Sequence, residues 1–189
     1  QAYQAALDKI FSHNYSNPQR IREFGFETSL RRIFHLGHTG YVDLRSPNFA
    51  ARDYLVVDYD GTLYPSDEAR MVSRIGVVDL SMGNVETGLA TRKLNQFNWE
   101  QIGEVNPDCI HCAYQPYCGT DLVDDLSRDN RIDKPKQETS FCQTQMSKFS
   151  DIFQRLISHD PVNLFNIAGH LTNDFSVDPV FSHLIYDQT

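Results

Sequence analysis

The four cysteines of this 189-residue chain are the side chains best suited to chemistry. Three of them follow the spacing Cys-x2-Cys-x5-Cys, and the fourth comes after 23 further residues; they are Cys109, Cys112, Cys118 and Cys142. Two thiolates separated by two residues in a tight turn can face the same ion or cluster, and a glycine after the third permits a sharp bend. Four cysteine ligands suit a tetrahedral zinc ion and a cubane iron–sulfur cluster equally well. The sequence therefore predicts one metal centre with these four residues as its ligands.

The composition favours reduced thiols over disulfides. Four cysteines are sparse for the disulfide framework of a secreted protein, and 40% apolar residues supply a core without one. The cysteine spacing is also too regular for four unrelated buried thiols. The sequence has no long apolar run and no secretory leader, so we expect a cytoplasmic protein with no membrane partner. A net charge of -8 disfavours a nucleic-acid surface, which would carry a basic stripe.

A second motif with possible chemistry is Asp58-Tyr-Asp60-Gly-Thr62, which follows an apolar run. It resembles the opening motif of haloacid-dehalogenase-like phosphatases, in which Asp58 would accept the phosphoryl group and Asp60 would be the general acid. That fold needs a parallel sheet built from alternating strands and helices, and few strands are evident after Met71. The Asp-Gly pair also predicts a simple hairpin turn between two short strands, at 54–57 and 62–64. We therefore expect the hairpin and keep the phosphatase as the less favoured alternative.

Other polar side chains give weaker signals. His111 lies inside the cysteine loop, where it would either hydrogen-bond to a sulfur or replace a thiolate. His35 and His38 are three residues apart, but the sequence offers them no third ligand. Arg45 and Arg70 are candidates for contacting a peptide carboxylate, and a salt bridge to Asp43 or Glu68 is the simpler expectation.

The elements that must position the cysteines are predominantly helical. Predicted helices span about residues 2–11, 19–37, 66–71, 86–97, 98–105, 136–159 and 177–186. Residues 121–134 are expected to be irregular. Cys142 falls near the start of the long helix, whose positive end favours a thiolate. The prediction is an α+β fold, mostly helical, with one short antiparallel β-hairpin and a metal site of four cysteines.

The motifs together resemble the SPASM module, the auxiliary-cluster domain of radical SAM enzymes that modify peptides. The matching segments are Gly61-Thr-Leu-Tyr-Pro-Ser66, the cysteine motif with its following Gly119, and the lone Cys142. The amino-acid sequence of three segments is most similar to that of the His-Xaa-Ser system radical SAM maturases: residues 41–47, 59–71 and 118–121. The resemblance covers roughly residues 20–160.

The resemblance implies a single auxiliary [4Fe–4S] cluster, held by Cys109, Cys112, Cys118 and Cys142. A second cluster of the family would need a cysteine where Ser66 stands, another at Leu122 and one upstream of Gly61, and this chain has none of them. A structural zinc domain, or zinc bound during aerobic preparation, is the alternative occupant.

The resemblance also implies that the chain is a fragment. No cysteine precedes Cys109, so the loop that binds the SAM-cleaving cluster is absent, and the chain does not begin with methionine. We expect residues 1–50 to be a helical segment linking to a radical SAM barrel of the full-length chain. Residues 51–160 would be the SPASM-like domain, and 161–189 a helical tail. The implied partners are that barrel and a precursor peptide, with S-adenosylmethionine bound only by the full-length enzyme, so the isolated chain should be catalytically silent.

Overall fold

The computed structural model of this chain describes residues 2–34, 48, 50–131 and 133–158. In these ranges it contains six helices and two small antiparallel sheets, which confirms a mostly helical α+β fold. The helices are α1 (Ala2–Ser16), α2 (Phe24–Phe34), α3 (Asp67–Arg74), α4 (Thr91–Glu100), α5 (Leu122–Asp129) and α6 (Ser140–Ser158). The strands are β1 (Val56–Val57), β2 (Leu63–Tyr64), β3 (Gly83–Asn84) and β4 (Gly88–Leu89), and a 3₁₀ turn spans Lys136–Glu138. The described residues do not include the predicted helix at 177–186, nor His35, His38 and Arg45.

The chain forms two compact units, and the first comprises Gln1–Tyr41 and Met146–Thr189. Its described core is apolar. The rings of Phe11 and Phe26 pack edge to face with their centroids 5.0 Å apart, and Phe149 and Ile152 of α6 are fully buried. The helical spacing of apolar residues in 136–159 predicts a buried stripe that includes Phe149, Ile152 and Ile157. This prediction is confirmed at the first two positions and wrong at Ile157, which is 86% exposed.

The second unit, Val42–Gln145, contains the four strands and all four cysteines. Its core cluster includes side chains from the segment before β1, from the segment before β3, and from α4 and α5: Ala50, Ala51, Met82, Phe97 and Leu122. No described helix is both long enough and apolar enough to cross a membrane.

The predicted hairpin is confirmed, with Val56 paired to Tyr64 and Val57 to Leu63. The Gly61 amide donates to the Asp58 carbonyl at 2.9 Å, and Gly61 has a φ of +81°, which glycine adopts without strain. The prediction of only one hairpin was wrong, because β3 and β4 form a second one. The helix expected from residue 86 is present as α4, but it begins only at Thr91. Gly83 has a φ of +126°, and a Cβ there would lie 2.2 Å from the Gly88 carbonyl oxygen, so the turn geometry overrides the helical periodicity.

Two further expectations for helices are corrected. Residues 98–105 form no separate helix, because α4 continues to Glu100 and turns follow it. The segment expected to be irregular contains α5, which begins after Asp121. The Asp121 carboxylate accepts hydrogen bonds from the amides of Val123 and Asp124, which satisfies two donors at the start of the helix.

The start of α3 agrees with the prediction: Ser66 is the N-cap, and its hydroxyl oxygen accepts a hydrogen bond from the Ala69 amide at 3.1 Å. Replacing Ser66 by alanine should lower the free energy of unfolding by about 1 kcal/mol, because a buried amide loses its acceptor. Urea denaturation monitored by circular dichroism would measure this change, with Ser66→Thr as a control that keeps the hydroxyl. Equal stability of Ser66→Ala and the wild type would show that the cap contributes nothing.

Candidate metal centre

The loop that carries three of the cysteines is a succession of tight turns. The Cys109 amide donates to the Asn106 carbonyl, the Cys112 amide to the Cys109 carbonyl, and the Cys118 amide to the Tyr114 carbonyl, each at 2.9 Å. These bonds fold the backbone back on itself at each cysteine. The turn geometry expected from the cysteine spacing is therefore present.

Asp108 joins this loop to the segment that leads into α6. Its Oδ2 accepts a hydrogen bond from the Lys136 amide at 2.8 Å, and its carbonyl accepts one from the Gln137 side chain at 3.1 Å. Asp108 is bonded through the backbone to Cys109, and Lys136 lies six residues before Cys142. We call this pair of contacts the Asp108 clamp, and it holds two distant stretches of cysteine-bearing chain together.

Cys142 lies in the first turn of α6, as predicted. Its amide donates to the hydroxyl of Thr139 at 3.2 Å, and that hydroxyl donates to the Lys136 carbonyl at 3.0 Å. Thr139 is 1% exposed, so this connection is shielded from water. The positive end of the helix dipole lies at this position, where it would stabilise a bound thiolate.

Three of the four thiols interact electrostatically with one another. Burial raises the pKa of Cys109 to about 11, with further increases from the charges of Cys142 and Cys112 and an opposing effect from Lys136. The pKa of Cys142 is raised by burial and then by the charge of Cys112. If all three were thiolates they would repel one another, and a bound cation would remove that repulsion and replace the protons.

Cys118 is the last cysteine of the loop. It is partly buried, and its thiol donates to the Gly119 carbonyl at 3.2 Å. It is not among the main charges that act on Cys109 or Cys142. Within the described parts of the chain, no three Cys, His, Asp or Glu side chains are already arranged to hold a metal ion. The four sulfurs fit a thiophilic metal in type and number, and their convergence on one centre stays a prediction.

Comparisons with protein-family models, with curated proteins and with solved structures find no match for this chain. The interpretation of the site therefore depends on its own residues and on the motif resemblance described above.

Two positions where the SPASM family would place cysteines of a second cluster have structural roles here. Ser66 caps α3, and Leu122 is 2% exposed in the core of the second unit. Both side chains stabilise the fold in ways that need no metal.

The carboxylates of the phosphatase-like motif are engaged in an ion-pair network. The Asp58 carboxylate accepts a hydrogen bond from Arg74 at 2.6 Å, and this contact holds the pKa of Asp58 below its usual range. Arg74 also lies 3.6 Å from the Asp60 carboxylate and stacks over the Tyr59 ring. The described strands around Asp58 pair antiparallel, in contrast to the parallel sheet that the phosphatase fold requires.

Sequence reasoning missed a buried ion pair beside the cysteines. The Lys136 ammonium lies 2.7 Å from Asp125 Oδ2, with side-chain exposures of 8% and 4%. Asp125 falls in the segment expected to be irregular, and recognising Asp121 as a helix cap would have placed it on a helix. His111, the alternative ligand, is exposed at the surface of the loop. Arg70 pairs with Asp67, three residues earlier on α3, and not with Glu68 as expected.

Proposed function

We propose that this chain carries an auxiliary [4Fe–4S] cluster in a radical SAM enzyme that modifies a ribosomally made peptide. The ligands are Cys109, Cys112, Cys118 and Cys142. The observation that carries this proposal is the Asp108 clamp, which brings the loop of Cys109 against the segment that leads to Cys142. A shared metal centre is the simplest reason for cysteines at both ends of such a clamp.

The surrounding residues suit a cluster. The four thiols are partly buried, so solvent has limited access to bound sulfide, and cluster potential depends strongly on solvent exposure. Lys136 supplies a nearby positive charge that offsets part of the negative charge of the thiolates. The cluster would supply electron transfer, while the chain would hold each iron through one thiolate and limit contact with water.

The catalytic radical would come from the barrel of the full-length enzyme, where S-adenosylmethionine binds. The precursor peptide would be the substrate of that whole enzyme. The motif resemblance is the support for both assignments, and the isolated chain is proposed to have no activity of its own.

Anaerobic reconstitution with ferrous iron and sulfide tests the proposal. We expect the wild-type chain to gain broad visible absorption from sulfur-to-iron charge transfer, and an EPR signal after reduction, with four irons per chain for a cubane cluster. Cys112→Ser should lower the iron content, whereas a serine substitution at an unrelated position, such as Thr144→Ser on α6, should not.

Two other outcomes of the reconstitution would contradict the proposal. A colourless chain that holds one zinc ion would make this a structural zinc module and overturn the cluster. If the chain binds neither metal although its four thiols are intact, the proposed metal centre itself is overturned.

A further inference from the structure

The two hairpins are hydrogen-bonded to each other and leave β1 as an outer strand. The Met82 amide donates to the Leu63 carbonyl at 2.7 Å, and the Val85 amide donates to the Gly61 carbonyl at 2.9 Å. These bonds use the side of β2 that faces away from β1, since β1 pairs with the other side. Among the described residues, β2 is therefore paired on both sides, whereas β1 is paired only with β2.

The open edge of β1 is formed by backbone groups of Leu55 and Val57. The Asp58 amide donates to the Thr62 carbonyl at 2.9 Å, so Val56 and Asp58 direct their backbone groups toward β2. Because backbone groups alternate along an antiparallel strand, those of Leu55 and Val57 point outward. Within the part of the chain that the structure describes, no hydrogen bond engages these outward amides and carbonyls. Such an edge is a template for pairing with a further strand.

The side chains along this edge are apolar and exposed. Leu55 is 37% exposed, Val57 57% and Tyr59 87%. Asp58 is the only charged residue in 54–59, and it is buried. The segment has no lysine and no proline, which are the residues that commonly prevent pairing at a sheet edge. The strand therefore presents both apolar side chains and unpaired backbone groups to solvent.

The sequence of β1 is complementary to a second copy of itself. Two copies paired antiparallel about a twofold axis at Val56 place Leu55 opposite Val57 of the second copy, twice. Both residues direct their backbone groups outward, so each such pair can exchange two hydrogen bonds. The same register places Arg52 opposite Asp60 of the second copy, which adds an attraction between opposite charges at both ends.

Neighbouring registers lack this complementarity. An axis at Leu55 would place Asp53 opposite Val57, and an axis at Val57 would place Asp58 opposite Val56. An axis at Asp58 would place the two Asp58 carboxylates opposite each other. Apolar pairs and opposite charges across strands are stabilising, whereas like charges directly opposite are destabilising. The axis at Val56 is therefore the favoured one.

We propose that this chain forms a twofold-symmetric dimer through β1, with the strands of two copies paired antiparallel about Val56. The pairing joins the hairpins of both copies into one sheet and buries Leu55 and Val57 of each copy. A pair of strands this short lies below the about 1,200 Å² at which stable interfaces begin, so the dimer is weak and forms as concentration rises. The dimer uses no cysteine and is independent of the metal centre.

Sedimentation equilibrium of the full chain over a wide range of concentrations tests the dimer, with a reductant present to prevent disulfides. The mean mass of the wild type should rise from that of the monomer toward twice that value. Val57→Lys should stay monomeric, because a charged side chain then lies at the centre of the edge. The matched control is Leu89→Lys on β4, the other outer strand, where Leu89 is 40% exposed. This variant should dimerise as the wild type does.

Hydrogen exchange followed by NMR locates the interface in the unmutated chain. The amides of Leu55 and Val57 should exchange more slowly as concentration rises, because they become hydrogen-bonded to the second copy. The Leu89 amide is the control. The Ala90 amide donates to the Met82 carbonyl at 2.7 Å, so the Leu89 amide points outward from β4 and should not change.

A charge reversal tests the register. Arg52→Glu places a second negative charge opposite Asp60 and should weaken the dimer, whereas Arg92→Glu, the same reversal at an exposed position of α4, should not. An undiminished dimer of Arg52→Glu would overturn the register about Val56.

Three other results would overturn the β1 dimer. The first is a wild type that remains monomeric at the highest concentration. The second is a dimer that persists in Val57→Lys. The third is a dimer that forms without slower exchange at Leu55 and Val57, because its interface would then lie elsewhere. None of these results bears on metal binding, so the proposed function is tested separately.

Discussion

Replacing Cys142 by serine is expected to abolish tight metal binding while leaving the metal-free fold in place. Serine is a poor ligand for soft metals, so the loss should exceed the roughly 10–100-fold change caused by removing a supporting residue. Cys142 is only partly buried, and the helix start that it occupies is capped through its backbone amide. That cap does not depend on the thiol, so α6 should still form.

Thermal unfolding with and without metal would measure this effect. A ligand at a hundred times its dissociation constant stabilises the folded state by about 2.7 kcal/mol, so the wild type should melt at a higher temperature when metal is added. Cys142→Ser should show little or no such increase and a metal-free melting temperature close to that of the wild type. Thr144→Ala, two residues further along the same helix, is the control.

Undiminished metal binding by Cys142→Ser would show that the fourth ligand is elsewhere. His111 would then become the candidate, and His111→Ala would be the next variant to measure. The same comparison for Cys118→Ser decides whether the Cys118 thiol, which donates to the Gly119 carbonyl, belongs to the centre.

Local chemistry made several elements predictable from the sequence. Asp60-Gly61 predicted the first hairpin because glycine takes the positive φ that the turn requires, and Ser66 predicted the start of α3. The long helix was placed correctly apart from its first residues. There, the 3₁₀ turn ends at Glu138, and Thr139 is extended before α6 begins.

The elements that the sequence analysis missed lie in segments whose residues give conflicting structural signals. Residues 86–97 have helical periodicity, but two glycines with positive φ close a hairpin at 83–89 before α4 begins. Residues 121–134 are polar enough to suggest a loop, yet Asp121 caps a helix and Leu122 is buried in the core. In each segment, one or two residues in a special backbone or capping position decided the structure.

In the candidate site, contacts between residues far apart in the sequence were also not predictable. Spacing alone identified the cysteine loop, because its turns involve residues close in sequence. The Asp108 clamp and the Lys136–Asp125 pair join residues 28 and 11 positions apart, and no periodicity reports such contacts. The cysteines could therefore be proposed as ligands from the sequence, whereas the Asp108 clamp and the buried ion pair could not be predicted from it.

Replacing Asp108 by alanine should weaken the contact between the two halves of the centre, because it removes the side-chain half of the clamp and leaves only the backbone carbonyl contact with Gln137. The variant removes the acceptor for the Lys136 amide, which belongs to a residue only 7% exposed, and a hydrogen bond to a charged group contributes about 1.5–3 kcal/mol. We expect the free energy of unfolding to fall by an amount of this order, and the affinity for Zn²⁺ to fall by roughly 10–100-fold. Urea denaturation of the metal-free chain and chelator competition measure the two changes independently.

Asp108→Asn distinguishes the geometry of the clamp from its charge. The asparagine side-chain oxygen still accepts from the Lys136 amide, so the clamp should persist and most of the metal affinity with it. The charge of Asp108 raises the pKa values of Cys109 and Cys142, and removing it should favour their thiolates. Asparagine is therefore expected to bind metal at least as tightly as the wild type, and alanine far more weakly. Equal affinities for alanine and the wild type would mean that the clamp does not bring Cys142 and the cysteine loop together at a metal centre.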